Sequence, residues 1–482
     1  MPKSPQAERP QFATSRVQTL FPEIWAEIFS HVYAVNLANI TLTCRLFRCL
    51  AQPSLFKNLI FRVNGRGEVE DPAYLTSHQE RLLFITSDRI AHGVRHCSIK
   101  IHPMILIEPD SLSEATRPMV TRTRVVFSIF EALPAFHNLT SLACESVRIN
   151  PYRFHQIRQL PSLQHLMLTH CVPSNTSSPP LPLRSLILRE FVGYENTTSQ
   201  ALGYMSFISP EHLHTLRIVD GTAMSSYLLA ILETRGPLAL RVLQVAYPMA
   251  RSPHFSAILS QCPDLEELLI CPSDEFSPEA IPVLADNALA KLKHYAGPHS
   301  LFTALRHKDY LRHVTLWGHM LGGVSETEEL LELLPQIPRH LESLQFSVTD
   351  LSEPLYSAFW NHFKELKNVR IAIYNYGRQI LRRGVSDDLL LQALRRLPRS
   401  IETIAVNTRF LWPVKELSTD GAIPVAFGSD SFPNLHYFSL SGSYSSFSWS
   451  PGRPVKVEDH YQSHERYQVD VQAFTSSEGA DI

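Results

Sequence analysis

Apolar residues follow two rhythms along this chain. In residues 20–33, LFPEIWAEIFSHVY, the pair Ile24 and Ile28 and the neighbouring Trp25 and Phe29 recur one helical turn apart, while Glu23, Glu27 and Ser30 are polar. That spacing predicts an amphipathic helix. Pro22 suits its first turn, where the missing N–H is no loss, and Glu23 suits the positive end of the helix dipole. A second helical pattern runs through Leu37, Ile40, Leu42, Cys44, Phe47 and Leu50, and Pro53 closes it or starts a third, PSLFKNLIF. From residue 90 the rhythm changes to a short phrase, L-x-x-L-x-L. It returns as Val94/Cys97/Ile99, Leu139/Leu142/Cys144, Leu163/Leu166/Leu168, Leu183/Leu186/Leu188, Leu213/Leu216/Ile218 and Leu240/Leu243/Val245. It continues as Leu265/Leu268/Ile270, Leu311/Val314/Leu316, Leu341/Leu344/Phe346, Leu366/Val369/Ile371, Ile401/Ile404/Val406 and Leu435/Phe438/Leu440.

Between these phrases lie stretches with helical spacing, YLLAILETRG, HFSAILSQC, TEELLELLPQI and DDLLLQALRRL, so the order is helix, short turn, strand. The phrase resembles the leucine-rich repeat, in which each unit gives one short strand to a continuous parallel sheet. Spacing between first positions varies from 20 residues (Leu163 to Leu183) to 46 (Leu265 to Leu311), and the long gap holds a weak unit near Leu289, Leu292 and Tyr295. Only Cys171 fits the position where the repeat family carries an Asn or Cys that satisfies backbone groups of the turn. The expected fold class is therefore α/β: a short all-helical module, then an irregular solenoid with a parallel sheet and outer helices.

The N-terminal motif is more specific. Pro22-Glu23-Ile24 followed by Ile28-Phe29, then Leu42, Cys44-Arg45, Phe47, Leu50-Ala51, Pro53 and Leu55-Phe56 resembles the F-box in order and spacing. The family usually has Leu before the proline, where this chain has Phe21. The resemblance covers residues 18–61 and implies a helical motif that docks on a Skp-type adaptor and, through it, on a cullin scaffold. By position it assigns Phe21, Pro22, Ile24, Ile28, Leu42, Cys44, Phe47 and Leu55 to apolar motif sites, without sorting those that face the adaptor from those that face the module's own core. A unit this small buries little surface alone, which is an independent reason to expect a partner or a neighbouring domain to cover it.

The expected layout is a disordered segment over 1–15, the F-box-like module over 18–61, repeats over 62–440 and a partly disordered tail over 441–482, pinned by Phe447 and Trp449. The Pro/Ser-rich CVPSNTSSPPLPLR (171–184) is expected to be a loop. In the repeat phrase the leucines point inward, so residues between them face the open sheet surface. That row contains His165, Met167, Arg189, Arg217, Gln244, Glu267, His313, Trp317, Gln345, Asn368, Arg370 and Tyr437. By residue type the best anchors for a target protein are Arg189, Arg217, His313, Trp317, Arg370 and Tyr437, because Trp, Tyr and Arg dominate binding energy at interfaces.

Composition narrows the picture. The 482 residues are 44% hydrophobic and 19% charged, with 44 Lys plus Arg against 46 Asp plus Glu, so nothing in the overall field favours nucleic acid or an anionic membrane. Residues 1–66 are the exception: eight basic residues against Glu8, Glu23 and Glu27 leave plus five, which suits an acidic partner. The N-terminus lacks an apolar signal core, no stretch approaches a membrane span, and seven scattered cysteines form no CxxC pair, so a cytoplasmic or nuclear protein is expected. Twenty-two histidines fall in no metal-binding spacing, and no nucleophile elbow, phosphate loop or dinucleotide fingerprint occurs. Cys44 and Cys171 sit at apolar motif positions and are expected to be inert packing. Neither an enzyme nor a cofactor is expected. The expectation is a substrate-recognition subunit of an SCF-type cullin-RING ubiquitin ligase; the alternative is a non-catalytic leucine-rich-repeat scaffold acting outside the ligase.

Overall fold

The computed structural model describes residues 20–63, 72–102, 117–174, 179–189, 197–219, 223–272, 289–302, 305, 310–317, 335, 337–348, 353–373, 396–408, 433–441, 445–450 and 456–459. Residues 1–15, the end of the tail and most of the helical stretches at 327–337 and 387–397 lie outside them. The chain divides into two compact units, residues 1–215 with 222–231 and residues 216–221 with 232–482.

The first unit begins with three helices, α1 (Pro22–Ser30), α2 (Ala34–Thr41) and α3 (Arg45–Leu55). The apolar stretch from Leu37 to Leu50, expected as one helix, is broken at Leu42–Cys44, and the Cys44 sulfur accepts a hydrogen bond from the Phe47 N–H at 3.4 Å as the cap of α3. Pro53 neither closes α3 nor opens a new helix. It lies in the last turn, where its lost N–H costs one bond, and the Phe56 N–H still reaches the Gln52 carbonyl at 3.0 Å. Residues 58–61, expected to belong to a third helix, instead open β1 (Asn58–Val63), in which Leu59, Phe61 and Val63 are buried and Asn58, Ile60 and Arg62 exposed. The sheet thus starts inside the segment assigned to the module.

After α4 (Pro72–Ile85) and α5 (Asp88–Ala91), the strands β2 (His96–Ile101), β3 (Ser141–Glu145), β5 (His165–Thr169) and β7 (Ser185–Arg189) join β1 in parallel order. Their register aligns the repeat: Cys97 lies opposite Leu142, Leu142 opposite Leu166, and Leu166 opposite Leu186. All four are buried, each aliphatic side chain contributing about 1.5–3 kcal/mol. Outer helices α6 (Arg117–Ala132) and α7 (Pro151–Arg158) close the other side with Val126, Ile129, Phe130, Phe154 and Ile157. Asn150 caps α7, accepting from the Arg153 N–H at 2.9 Å, and Pro151 takes its first position.

Two repeats are regular enough to add a second small ladder. Ser146 (φ 56) and His170 (φ 52) turn the chain out of β3 and β5 into β4 (Arg148–Ile149) and β6 (Val172–Pro173), which pair with each other. Of the 171–184 segment, Val172–Pro173 is therefore strand, while the described residues 179–184 carry no helix or strand, as expected of a loop. Cys171 fills the ladder position: its thiol donates to the Cys144 carbonyl at 3.3 Å. Helices α8 (Thr197–Met205) and α9 (Ala223–Glu233) and strand β8 (Thr215–Ile218) lead to the division between the units.

The second unit holds β9 (Val242–Ala246), α10 (Tyr247–Ala250), α11 (Pro253–Ser260), β10 (Glu267–Cys271), β11 (His294–Pro298), α12 (His299–Phe302), β12 (His313–Trp317), β13 (Ser343–Val348), α13 (Glu353–His362), β14 (Asn368–Ile373), β15 (Thr403–Thr408) and β16 (Tyr437–Ser441). One core column runs Leu243, Leu268, Tyr295, Val314, Leu344, Val369, Ile404, Phe438 through parallel neighbours. The weak unit is framed differently from its expected form: Leu292, Tyr295 and Gly297 take the three repeat positions, with Tyr295 opposite Val314 and Gly297 opposite Leu316, and Leu289 is buried ahead of them. Beyond β16, residues assigned to the tail add β17 (Ser445–Trp449) and β18 (Lys456–Asp459), both antiparallel.

Candidate interaction surfaces

The three helices share a small core of Phe29, Leu37 and Ala51, against which Trp25, Val32, Ile40, Phe47, Leu50 and Leu55 pack in part. Three rings hold it: Trp25 and Phe47 at 4.8 Å, Phe29 and Phe47 at 5.2 Å, and Trp25 and Phe29 at 5.8 Å between centroids. The eight motif positions separate accordingly. Phe47 and Leu55 face inward, whereas Phe21 (73% exposed), Pro22, Ile24, Ile28, Leu42 (75% exposed) and Cys44 face outward. Ile24 and Ile28 lie four residues apart on one stripe of α1, Phe21 is the extended residue that precedes the helix, and Leu42 and Cys44 occupy the turn before α3.

Leu20, Tyr33, Val35 and Leu46 are also exposed apolar residues of this module, and none was assigned from sequence. Tyr33 and Val35 stand at the start of α2, so recognising the separate helix would have found them. Leaving this much apolar surface in water on a module of three short helices is unfavourable unless a partner covers it.

The module is joined tightly to the first repeat. The Lys57 carbonyl accepts from the Arg95 and His96 N–H groups at 2.9 and 3.0 Å, Phe56 packs edge-on against Phe84 at 5.8 Å, and the Arg89 guanidinium donates to the Cys49 sulfur at 2.7 Å. Gly93 permits the close approach, since a Cβ there would lie 3.0 Å from the Pro53 Cα.

The open face of the sheet is the second surface. In the second unit His313, Arg370 and Tyr437 are exposed on β12, β14 and β16. Arg370 stands between Gln345 and Ala405 in register, and the His313 ring meets that of His294 at 5.9 Å. Arg217 on β8 is half-buried, as is Arg189 on β7 of the first unit. Gln244 does not belong to the exposed row: it is 4% exposed, and its amide donates to the Cys271 sulfur at 2.8 Å.

Trp317 faces the open side but is tied to the sheet. The β10 and β11 ladder runs from the Glu266 carbonyl to the His294 N–H, and two steps on, the donor opposite the Ile270 carbonyl is Pro298, which has none. The Trp317 indole N–H supplies that bond at 3.0 Å, with its ring edge-on to Tyr247 at 5.5 Å. Charges at the strand entries are engaged with each other, Lys293 with Glu266 at 2.7 Å and Arg312 with Glu342 at 3.9 Å; the hydrogen bond from Lys293 holds the Glu266 carboxyl below its ordinary range. Such exposed pairs contribute little, about 1 kcal/mol at most.

Cys97, Cys144, Cys171 and Cys262 are buried, and desolvation pushes the thiols of Cys97, Cys171 and Cys262 up to about 12. Cys171 is buried, as its apolar motif position implies, but Cys44 is exposed and serves as a helix cap. Native protein at pH 8 is therefore expected to react at Cys44 and Cys49 with a soluble aromatic disulfide, more slowly at Cys271, and at the four buried thiols only after denaturant is added. Among the described residues no cluster of three His, Cys, Asp or Glu side chains could hold a metal, and no helix is long and apolar enough to cross a membrane.

No family model matches this chain, and no curated relative matches it. Among solved structures, an internalin (inlF) from Listeria monocytogenes is similar over 82% of this chain and 92% of its own, at 10% identity and a TM-score of 0.20. At that score the likeness carries no weight; strand register and burial within this chain are what establish a repeating strand unit on a parallel sheet.

Proposed function

We propose that the chain is a substrate-recognition subunit of an SCF-type ubiquitin ligase. In this proposal the helical module docks on a Skp-type adaptor that connects to a cullin, and the open sheet face holds a protein to be marked. The observation that carries the proposal is the sorting within the motif: Phe21, Pro22, Ile24, Ile28, Leu42 and Cys44 are presented to solvent by a module whose core is made by Phe29, Leu37, Ala51 and the packed rings. An outward apolar set on a folded helical unit suits a protein partner. Such a subunit needs no catalytic residue of its own, because holding a target beside the transferring enzyme raises effective concentration. A protein working inside such a ligase would be cytoplasmic or nuclear.

For the target, His313, Arg370 and Tyr437 on the second unit are the preferred contacts. Arg189 and Arg217 are secondary because each has its Nε closed off from solvent, and Trp317 is mainly structural. Capture of the tagged full chain from cells tests the assembly: recovery of both adaptor and cullin is expected. Adaptor without cullin, or neither, would favour a repeat scaffold acting outside the ligase.

A further inference from the structure

Among the described residues, the first strand leaves one edge of its sheet open. The Lys57 and Val63 carbonyls accept from His96 and His102 at 3.0 and 3.1 Å, so the odd-numbered residues of β1 turn their backbone groups toward β2. In a parallel strand the N–H and C=O of alternate residues point to opposite sides, which turns those of Asn58, Ile60 and Arg62 away from β2. Among the described residues no strand lies on that side. All three side chains are exposed, Ile60 at 46%. Exposed edges are ordinarily blunted by charge, proline or a bulge. Strand β18 follows that rule, with Lys456, Glu458 and Asp459 in four residues. In contrast, β1 has an unbroken register with β2, no proline and one charge, Arg62.

We propose that β1 pairs antiparallel with β1 of a second copy of this chain. The sequence of the edge is self-complementary about Ile60. With a two-fold axis at that residue Ile60 faces its own copy and each Arg62 faces the other copy's Asn58, so all three outward residues pair, each pair exchanging both backbone bonds, and no like charges meet. A register shifted to place Arg62 opposite its own copy would bring two guanidinium groups together and lose the other pairs. Apolar surface at the beginning of the strand extends the contact: Phe84 lies on Phe56, two residues before β1, and Leu83 beside it is exposed.

Sedimentation of the full chain over a range of concentrations tests the proposal, using Ile60→Lys, Ile60→Asp and Ile60→Pro. The wild type is expected to form dimers, and each variant to raise the dimer dissociation constant by about tenfold or more. An equimolar mixture of Ile60→Lys and Ile60→Asp should dimerise again, because position 60 faces itself. Ile60→Pro removes an N–H that β2 does not use, so its monomer should keep the wild-type melting temperature. A wild type that stays monomeric at about 100 μM, a dimer that persists in the variants, or a mixture that fails to recover overturns the proposal. So does slow amide exchange at Ile60 and Arg62 in dilute monomer, which would place another segment of the chain on this edge.

Discussion

Replacing Gly297 by Val is expected to destabilise the second unit by about 3 kcal/mol or more, the upper range for forcing extra atoms into a packed core. Every other strand of that unit's core column has a large or branched residue at the third repeat position, such as Leu316 and Phe346, whereas β11 has glycine. The reason is Tyr295. Its fully buried ring folds over the position, and its hydroxyl donates to the Pro298 carbonyl at 2.7 Å. A Cβ on Gly297 would collide with the Tyr295 hydroxyl oxygen and come within 2.7 Å of its Cζ. The ring cannot swing clear, because Phe302 packs on it at 5.6 Å and the hydroxyl is held. Returning both positions to the pattern of the neighbouring strands, Tyr295→Val with Gly297→Val, should recover much of the loss. Urea unfolding of the two single variants and the double variant measures the coupling directly; additive losses would contradict the assigned frame.

Trp317 should behave as a structural residue with a graded response. Trp317→Phe keeps the ring against Tyr247 but leaves the Ile270 carbonyl without its donor, a loss of about 1–3 kcal/mol. Trp317→Ala removes the half-buried ring as well and should cost about 1 kcal/mol more than Trp317→Phe. Thermal melts of the two variants check this order. Equal stability of Trp317→Phe and wild type would mean that the indole bond contributes nothing, and would return Trp317 to the ranks of ordinary surface anchors. Loss of target binding on Trp317→Ala is therefore evidence of contact only when the melt is unchanged.

Much of the second half of the chain was legible from its pattern. A side chain two positions along a strand returns to the same face, so Leu344 and Phe346, or Val369 and Ile371, could be assigned to the core before any pairing was known. What escaped was of two kinds. Short apolar runs carry no decisive period, so the pattern over Asn58–Phe61 suits a helix although Leu59, Phe61 and Val63 alternate inward, and Leu289 masks the true frame of β11. Contacts between distant residues leave no local trace: the Trp317 bond to Ile270 spans 47 positions, and Gln244 is buried through its bond to Cys271 on the next strand. The N-terminal motif was legible as a set of apolar positions, but the division between core and surface depends on how α1 and α3 cross, which spacing does not specify.

The central claim is that the outward set of the helical module is a docking surface while the inward set only builds it. Calorimetric titration of a Skp-type adaptor into the full chain, comparing wild type with Ile24→Asp, Ile28→Asp and Leu42→Asp, tests it most directly. Each substitution lies on exposed surface and should leave the melting temperature within a degree or two, yet each should weaken adaptor binding by about 30-fold or more, the loss of a central apolar contact worth about 2 kcal/mol. Unchanged affinity in all three folded variants would contradict the docking assignment.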